Sequence, residues 1–174
     1  RGDPATLKTR FLENLEFAGA RYSAVSARTD VAREALAWLS SVGLPSAVVA
    51  ATDESLDGCG LEESEQLSVR RGVPGPADAA TLTGVVSGIA ETGTLMVRSG
   101  PKMSVRSWFL PKVHLAVLNA SAICGSYEDA FARLHESCPV LPRTVTLITG
   151  PSRSSDIERI VQIGVHGPRA LHVI

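Results

Sequence analysis

Aromatic side chains are scarce in this 174-residue chain: two Trp, two Tyr and four Phe make up 5% of it. Leu, Val, Ile and Ala must therefore supply most of the core. Cysteine is scarcer still. Cys59, Cys124 and Cys138 are odd in number, widely spaced and without a C-x-x-C pair. That argues against a disulfide framework and for inert thiols in a reducing, cytoplasmic compartment. No apolar run reaches the ~18 residues a membrane span requires, and no secretory signal is visible. The chain begins at Arg1 rather than Met, which leaves room for a longer native N-terminus. Net charge is lacking too: a formal −1 argues against broad attraction to nucleic acid or membranes.

What is present suits one domain over residues 1–174. Hydrophobic residues make up 44% and charged residues 20%. A chain of this length buries roughly 70% of its unfolded surface, so it folds without disulfides or metals. The charges are unevenly placed. Six acids and no base lie between Asp53 and Glu65, whereas Arg98, Lys102, Arg106 and Lys112 lie between Thr92 and Tyr127 with no acid. Two solvated faces account for this pattern; the alternative is that the basic stretch receives an anion or an acidic partner surface.

The order of elements follows from spacing and punctuation. Asp3-Pro4 opens a helix carrying Leu7, Phe11, Leu15 and Ala18 on one face, and Gly19 stops it. Arg21 to Ser26 reads as a short strand. Thr29-Asp30 starts a second helix with Val31, Ala35, Trp38 and Leu39 on one side. Pro45 to Ala51 reads as a buried strand, Gln66 to Arg71 as an edge strand, and Ala77 to Leu82 as one or two helical turns. Val85 to Ala90 and Thr94 to Arg98 read as strands interrupted by Glu91-Thr92-Gly93. A short helix is expected within Ser99 to Leu110. Buried strands are expected at Val113 to Leu118 and Thr144 to Thr149. Between those two, Tyr127, Ala130, Phe131, Leu134 and Cys138 form a helical stripe. A last helix over Ser155 to Gln162 and a strand over Ala170 to Ile174 complete the chain. Strands separated by helices predict an α/β fold, a mostly parallel sheet flanked by helices. In such sheets ligands bind outside the carboxyl ends of the strands.

Four segments carry a family likeness: G-I-A-E-T-G-T-L (Gly88–Leu95), L-P-K-V-H-L-A-V-L (Leu110–Leu118), T-L-I-T-G-P-S-R-S-S-D-I-E (Thr146–Glu158) and G-V-H-G-P-R-A-L-H-V-I (Gly164–Ile174). Together they resemble the LUD (lactate-utilisation) domain family, in its LutC-like branch. The likeness is specific in the C-terminal half and extends to the N-terminal half only in layout. Ser154-Ser155 stands where the family often has Thr-Ala, and many LutC-like members are longer at the N-terminus. The resemblance implies a fold related to the NagB/RpiA/CoA-transferase group. It also implies a role in oxidising L-lactate to pyruvate, alongside partner subunits that carry the iron–sulfur and other redox centres; with no cofactor motif in the chain, that role is expected to be non-redox.

Two turns hold the candidate site residues. Glu91-Thr92-Gly93-Thr94 joins two apolar strands; it is either a plain tight turn or an anion cradle, with Gly93 turning amides inward and Thr92 and Thr94 adding hydroxyls. Glu91 is the best candidate for a base or nucleophile, in the manner of the CoA-transferase glutamate. The second turn contributes Gly150, Ser152, Arg153, Ser154 and Asp156 as ligand contacts. It follows a strand and opens a helix, where free N–H groups meet a positive dipole end. Ser155 with Glu158 fits a capping box, and the Arg153 fork suits a carboxylate or phosphate. His166 sits on a glycine-rich turn and joins the candidate set, whereas His114, inside a strand, reads as half-buried and hydrogen-bonded. No Cys/His/Asp/Glu spacing suggests a metal or iron–sulfur site. No G-x-S-x-G or G-x-G-x-x-G occurs, and the P-loop lysine and spacing are missing. The favoured expectation is a component of a lactate-utilisation system that binds partner subunits and a small anionic ligand. The alternative is a stand-alone enzyme of the cyclo-ligase or CoA-transferase kind.

Overall fold

A computed structural model describes residues 2–138, 140–154 and 162–174. Helix α1 (Pro4–Phe17) starts where Asp3 accepts the Thr6 N–H at 3.3 Å, with proline in its first turn. It ends at Ala18, and Gly19, at φ +89°, lets the chain reverse into β1 (Arg21–Tyr22). Helix α2 (Val31–Ser41) follows and buries Val31, Ala32, Ala35 and Leu39. Next come β2 (Ala47–Ala50), β3 (Ser68–Arg71), β4 (Ala80–Gly84), β5 (Ser87–Ile89), β6 (Thr94–Arg98), α3 (Arg106–Phe109) and β7 (Val113–Val117). The chain continues through β8 (Ile123–Cys124), α4 (Tyr127–Ser137), β9 (Val145–Ile148), β10 (Arg153–Ser154), β11 (Gln162–Ile163) and β12 (Ala170–Val173).

The main sheet runs β1-β12-β7-β4-β2-β3, and every neighbouring pair in it is parallel. This is the α/β architecture that the alternating elements predict. A second sheet, β8-β5-β6-β9, is mixed: β5 and β6 form an antiparallel hairpin, β9 pairs antiparallel to β6, and β8 parallel to β5. Side chains alternate across each strand of the main sheet. On one face Leu82 and Leu115 join Ala35 and Leu39 of α2 in a single core cluster. On the other, Ala116, Leu171 and Val173 pack beneath Phe11 and Leu15 of α1.

Four expectations change. Helical turns are expected over Ala77 to Leu82, whereas Ala80–Gly84 is a central strand buried at every position. A run this short has no periodicity that separates buried strand from helix, and its neighbours β7 and β2 settle the matter. Val145–Ile148 is a strand, yet it lies at a sheet edge and leaves Leu147 42% exposed. Residues 155–161, over which a last helix and the Ser155–Glu158 capping box were expected, lie outside the described residues. Gln162 itself belongs to β11, which pairs antiparallel with Arg153–Ser154. Finally, His114 is fully buried, not half-buried.

The segment after β2 closes one end of the main sheet. Leu56, Cys59 and Leu61 enter the α2-side core. A Cβ on Gly84 would stand 1.7 Å from Ser55 Oγ, so this segment lies directly on the carboxyl end of β4. The acidic and basic runs also meet here, through a Lys102 Nζ–Glu54 ion pair of 2.8 Å. Part of the sequence's charge asymmetry is thus answered within the fold.

Candidate functional site

The two turns singled out in the sequence come together. Gly93, at φ +67°, tightens the β5–β6 hairpin, and a Cβ there would lie 2.3 Å from the Leu15 nitrogen. Gly150, at φ +73°, follows β9, and its Cβ would lie 2.2 Å from the Ala18 carbonyl oxygen. Only glycine allows both turns to press against the C-terminal half of α1. Asn14 Nδ2 fastens the first turn by donating to the Ala90 carbonyl at 2.8 Å.

A cluster of four hydroxyls joins the turns. Thr94 Oγ1, fully buried, lies 2.7 Å from Thr92 Oγ1, 2.7 Å from Thr149 Oγ1 and 3.1 Å from the Tyr127 hydroxyl. Thr92 Oγ1 is also 3.0 Å from that phenol. Glu91 Oε1 accepts the Tyr127 N–H at 3.0 Å, and Ser126 Oγ accepts that of Asp129 at 3.3 Å, so two side chains satisfy the first turn of α4. The N–H groups of Glu91 and Gly93 donate to the carbonyls of Gly125 and Ile89. The donors facing this place are therefore hydroxyls, not the amides that Gly93 was expected to turn inward.

Glu91, Thr92, Thr149, Pro151 and Arg153 line an open cleft of about 570 Å³ with Asn14, Phe17 and Ala18 of α1. Arg153 lies along α1's end, its Nη2 2.2 Å from where a Gly19 Cβ would be. Ser152 belongs to the same turn but packs against the next loop: a Cβ on Gly167 would lie 3.2 Å from its Cβ, and its N–H donates to the Pro168 carbonyl at 2.9 Å. His166 is exposed on that loop and is not among the cleft's lining residues. Ser154 pairs with Gln162 in the β10–β11 ladder, and Asp156 lies outside the described residues.

The cleft's position departs from expectation. Pro168 and Lys112, which bond to Ser152 and Arg169, immediately precede β12 and β7. The turns therefore sit at the amino ends of the main parallel strands. The carboxyl ends of β1, β12 and β7 open instead onto a separate cavity of about 250 Å³, bounded by Lys8, Phe11, Ser23, Arg28, Val117 and Ile123 among others. Sequence reading missed this wall because Ala24 to Ala27 carries no motif; Arg28 after a strand was the one signal available.

Two buried histidines were also passed over or underrated. His114 Nε2 lies 2.7 Å from Thr83 Oγ1, and burial pushes its pKa down to about 4. His172 stacks on Trp38 with ring centroids 4.7 Å apart, and its Nε2 lies 3.0 Å from Ser23 Oγ at the cavity wall. Burial lowers its pKa to about 4 as well, against a smaller upward pull from Glu34. The pair fixes the Ser23 side chain at the cavity wall.

The profile of the LUD domain matches residues 76–174, more than half of the chain. The chain belongs to the LUD domain family. Both turns of the cleft and Tyr127 fall within the matched LUD segment, whereas α1 and the Tyr22–Arg28 wall precede it. The LUD chain is 37% identical over 90 residues to Lactate utilization protein C of Geobacillus sp. (strain WCH70), covering 49% of this chain and 37% of that protein. It is 30% identical over 142 residues to the uncharacterized protein YkgG of Escherichia coli (strain K12), covering 73% and 62%. It spans well under half the length of the Lactate utilization protein C relatives it matches. A crystal structure of a DUF162 family protein from Deinococcus radiodurans has the same fold, with a TM-score of 0.70, 21% identity and coverage of 100% and 98% of the two chains. Among the described residues no helix is long and apolar enough to cross a membrane.

Proposed function

We propose that this LUD protein serves lactate utilisation as a component without a redox centre of its own, acting beside partner subunits that carry the iron–sulfur and other centres for oxidising L-lactate to pyruvate. The likeness to Lactate utilization protein C, at 37% identity over 90 residues, carries this reading. The three free, buried thiols are in keeping with a reducing, cytoplasmic setting. The cleft between the turns is the ligand site of this reading. Thr92 and Thr149 supply hydroxyl donors, Arg153 supplies a planar cation, and a small carboxylate matches both.

Deleting the gene tests the proposal. The expected result is loss of growth on L-lactate with growth on glucose intact, restored by the wild-type gene and only weakly by one carrying Thr92→Val and Arg153→Gln together. Normal growth of the deletion strain on lactate overturns it. The position of Glu91 favours a second reading, a stand-alone enzyme of the cyclo-ligase or CoA-transferase kind, because its carboxylate lines the cleft with only Oε1 engaged among the described residues. Turnover of a folate, CoA or phosphate compound that Glu91→Gln abolishes while the protein still melts cooperatively would decide for it.

A further inference from the structure

The cavity at the carboxyl ends of β1, β12 and β7 is independent of the turn cleft and combines three properties. Its floor is apolar: Phe11 and Leu118 close over Gly88, whose Cβ would stand 2.8 Å from Leu118 Cδ2 and 3.0 Å from Phe11 Cε2. Its charge is of one sign. Lys8 and Arg28 line it, and among the described residues no Asp or Glu does. Arg28 is gripped by neutral acceptors, with Nε donating to the Asp57 carbonyl at 3.1 Å and Nη2 to the Ser55 carbonyl and Cys59 Sγ. These bonds hold the guanidinium without neutralising it. Among the described residues neither Lys8 nor Arg28 forms an ion pair. Of the acids on the adjoining segment, Glu54 pairs with Lys102 and Asp53 accepts the Ser55 N–H, and Asp57 meets Arg28 through its carbonyl.

The third property is a row of polar groups along its wall. Ser23 Oγ is held by the buried His172, which stacks on Trp38. The amides of Ala24, Val25, Ser26 and Ala27 meet no protein acceptor among the described residues. An apolar floor under a cationic rim matches an amphiphilic anion. Size narrows the class. About 250 Å³ suits a short acyl or aryl group.

We propose that this cavity binds a small monocarboxylate with an apolar body, such as a medium-chain aliphatic or aryl acid, with its tail against Phe11 and Leu118 and its carboxylate between Lys8 and Arg28. This does not rest on the lactate reading, since L-lactate lacks the apolar body and is expected not to occupy the cavity.

Calorimetric titration and thermal melting of the full chain test it, using hexanoate and phenylacetate as probes, the matching amides as neutral controls, and L-lactate and phenyl phosphate as comparators. Both carboxylates should bind and raise the melting temperature, each amide should bind at least tenfold more weakly, and L-lactate should have no effect at this cavity. Lys8→Gln should weaken the carboxylates about tenfold and leave the amides unchanged. Val25→Phe, on the partly exposed wall, should block all of them while the protein still melts cooperatively. Equal response to acids and amides, no response to either acid at millimolar concentration, or a stronger response to phenyl phosphate than to phenylacetate overturns the proposal.

Discussion

Thr94 is the residue on which the candidate cleft turns. Its hydroxyl meets three others while fully excluded from solvent. Thr94→Val keeps the shape and removes the shared partner, so unfolding in urea should show a loss of about 1–3 kcal/mol. Thr149→Val, at the exposed rim, should cost no more than ~0.5 kcal/mol. His114 gives a pH signature. It stays neutral in the fold, with a pKa near 4 against an ordinary value of 6.5. The unfolded chain therefore binds the proton first as pH falls, and stability is complete above about 6.5 and declines down to about 4. The loss for this one side chain is about 3 kcal/mol over that window. Denaturant midpoints measured at intervals from pH 7 to pH 4 should show this slope, and His114→Gln should reduce it.

At the scale of elements, the glycine turns separate strain from collision. Gly43 and Gly150 both have positive φ, +70° and +73°, but a Cβ at Gly43 meets nothing within 4 Å, whereas at Gly150 it meets the Ala18 carbonyl oxygen at 2.2 Å. Gly43→Ala should cost about 1–2 kcal/mol, the left-handed penalty alone. Gly150→Ala should in addition push α1 off the sheet, which thermal melting will register as a much larger loss or as failure to fold. Glu91→Gln keeps an oxygen for the Tyr127 N–H but loses the charge at the start of α4, an effect of about 0.3–1 kcal/mol that salt should diminish. Most elements were readable because their patterns are local: Asp3-Pro4 caps α1, and Tyr127 to Leu134 forms a stripe. Ala80–Gly84 was not, since its strand character comes from β7 and β2 on either side, which no local spacing records.

Across the whole molecule, the sequence indicated which turns matter and not where they lie. Thr94 and Thr149 are distant in sequence, yet the pairing of β6 with β9 brings their hydroxyls to 2.7 Å. That the turns lie at the amino ends of the parallel strands depends on strand order, which is a property of the assembled sheet. The cavity at the opposite ends is harder still to read, because Ala24 to Ala27 contributes backbone donors and no distinctive side chain. The LUD segment is also not the physical unit. Residues 76–174 lack α1, α2, β1, β2 and β3, so they strip helical cover from both faces of β4 and β7. Expressed alone, this segment should give circular dichroism and proton spectra of an unfolded or aggregated chain; a cooperative melt would contradict a core that depends on α1 and α2.

Helix α1 touches both hollows, Lys8, Phe11 and Leu12 at one and Asn14, Phe17 and Ala18 at the other. Over 14 residues it spans about 21 Å, and the glycine turns clamp its far half to the hairpin. It is in effect a rigid lever shared by two rooms. A ligand in one room that moved the helix would be felt in the other, and thermodynamic reciprocity would make that influence equal in both directions.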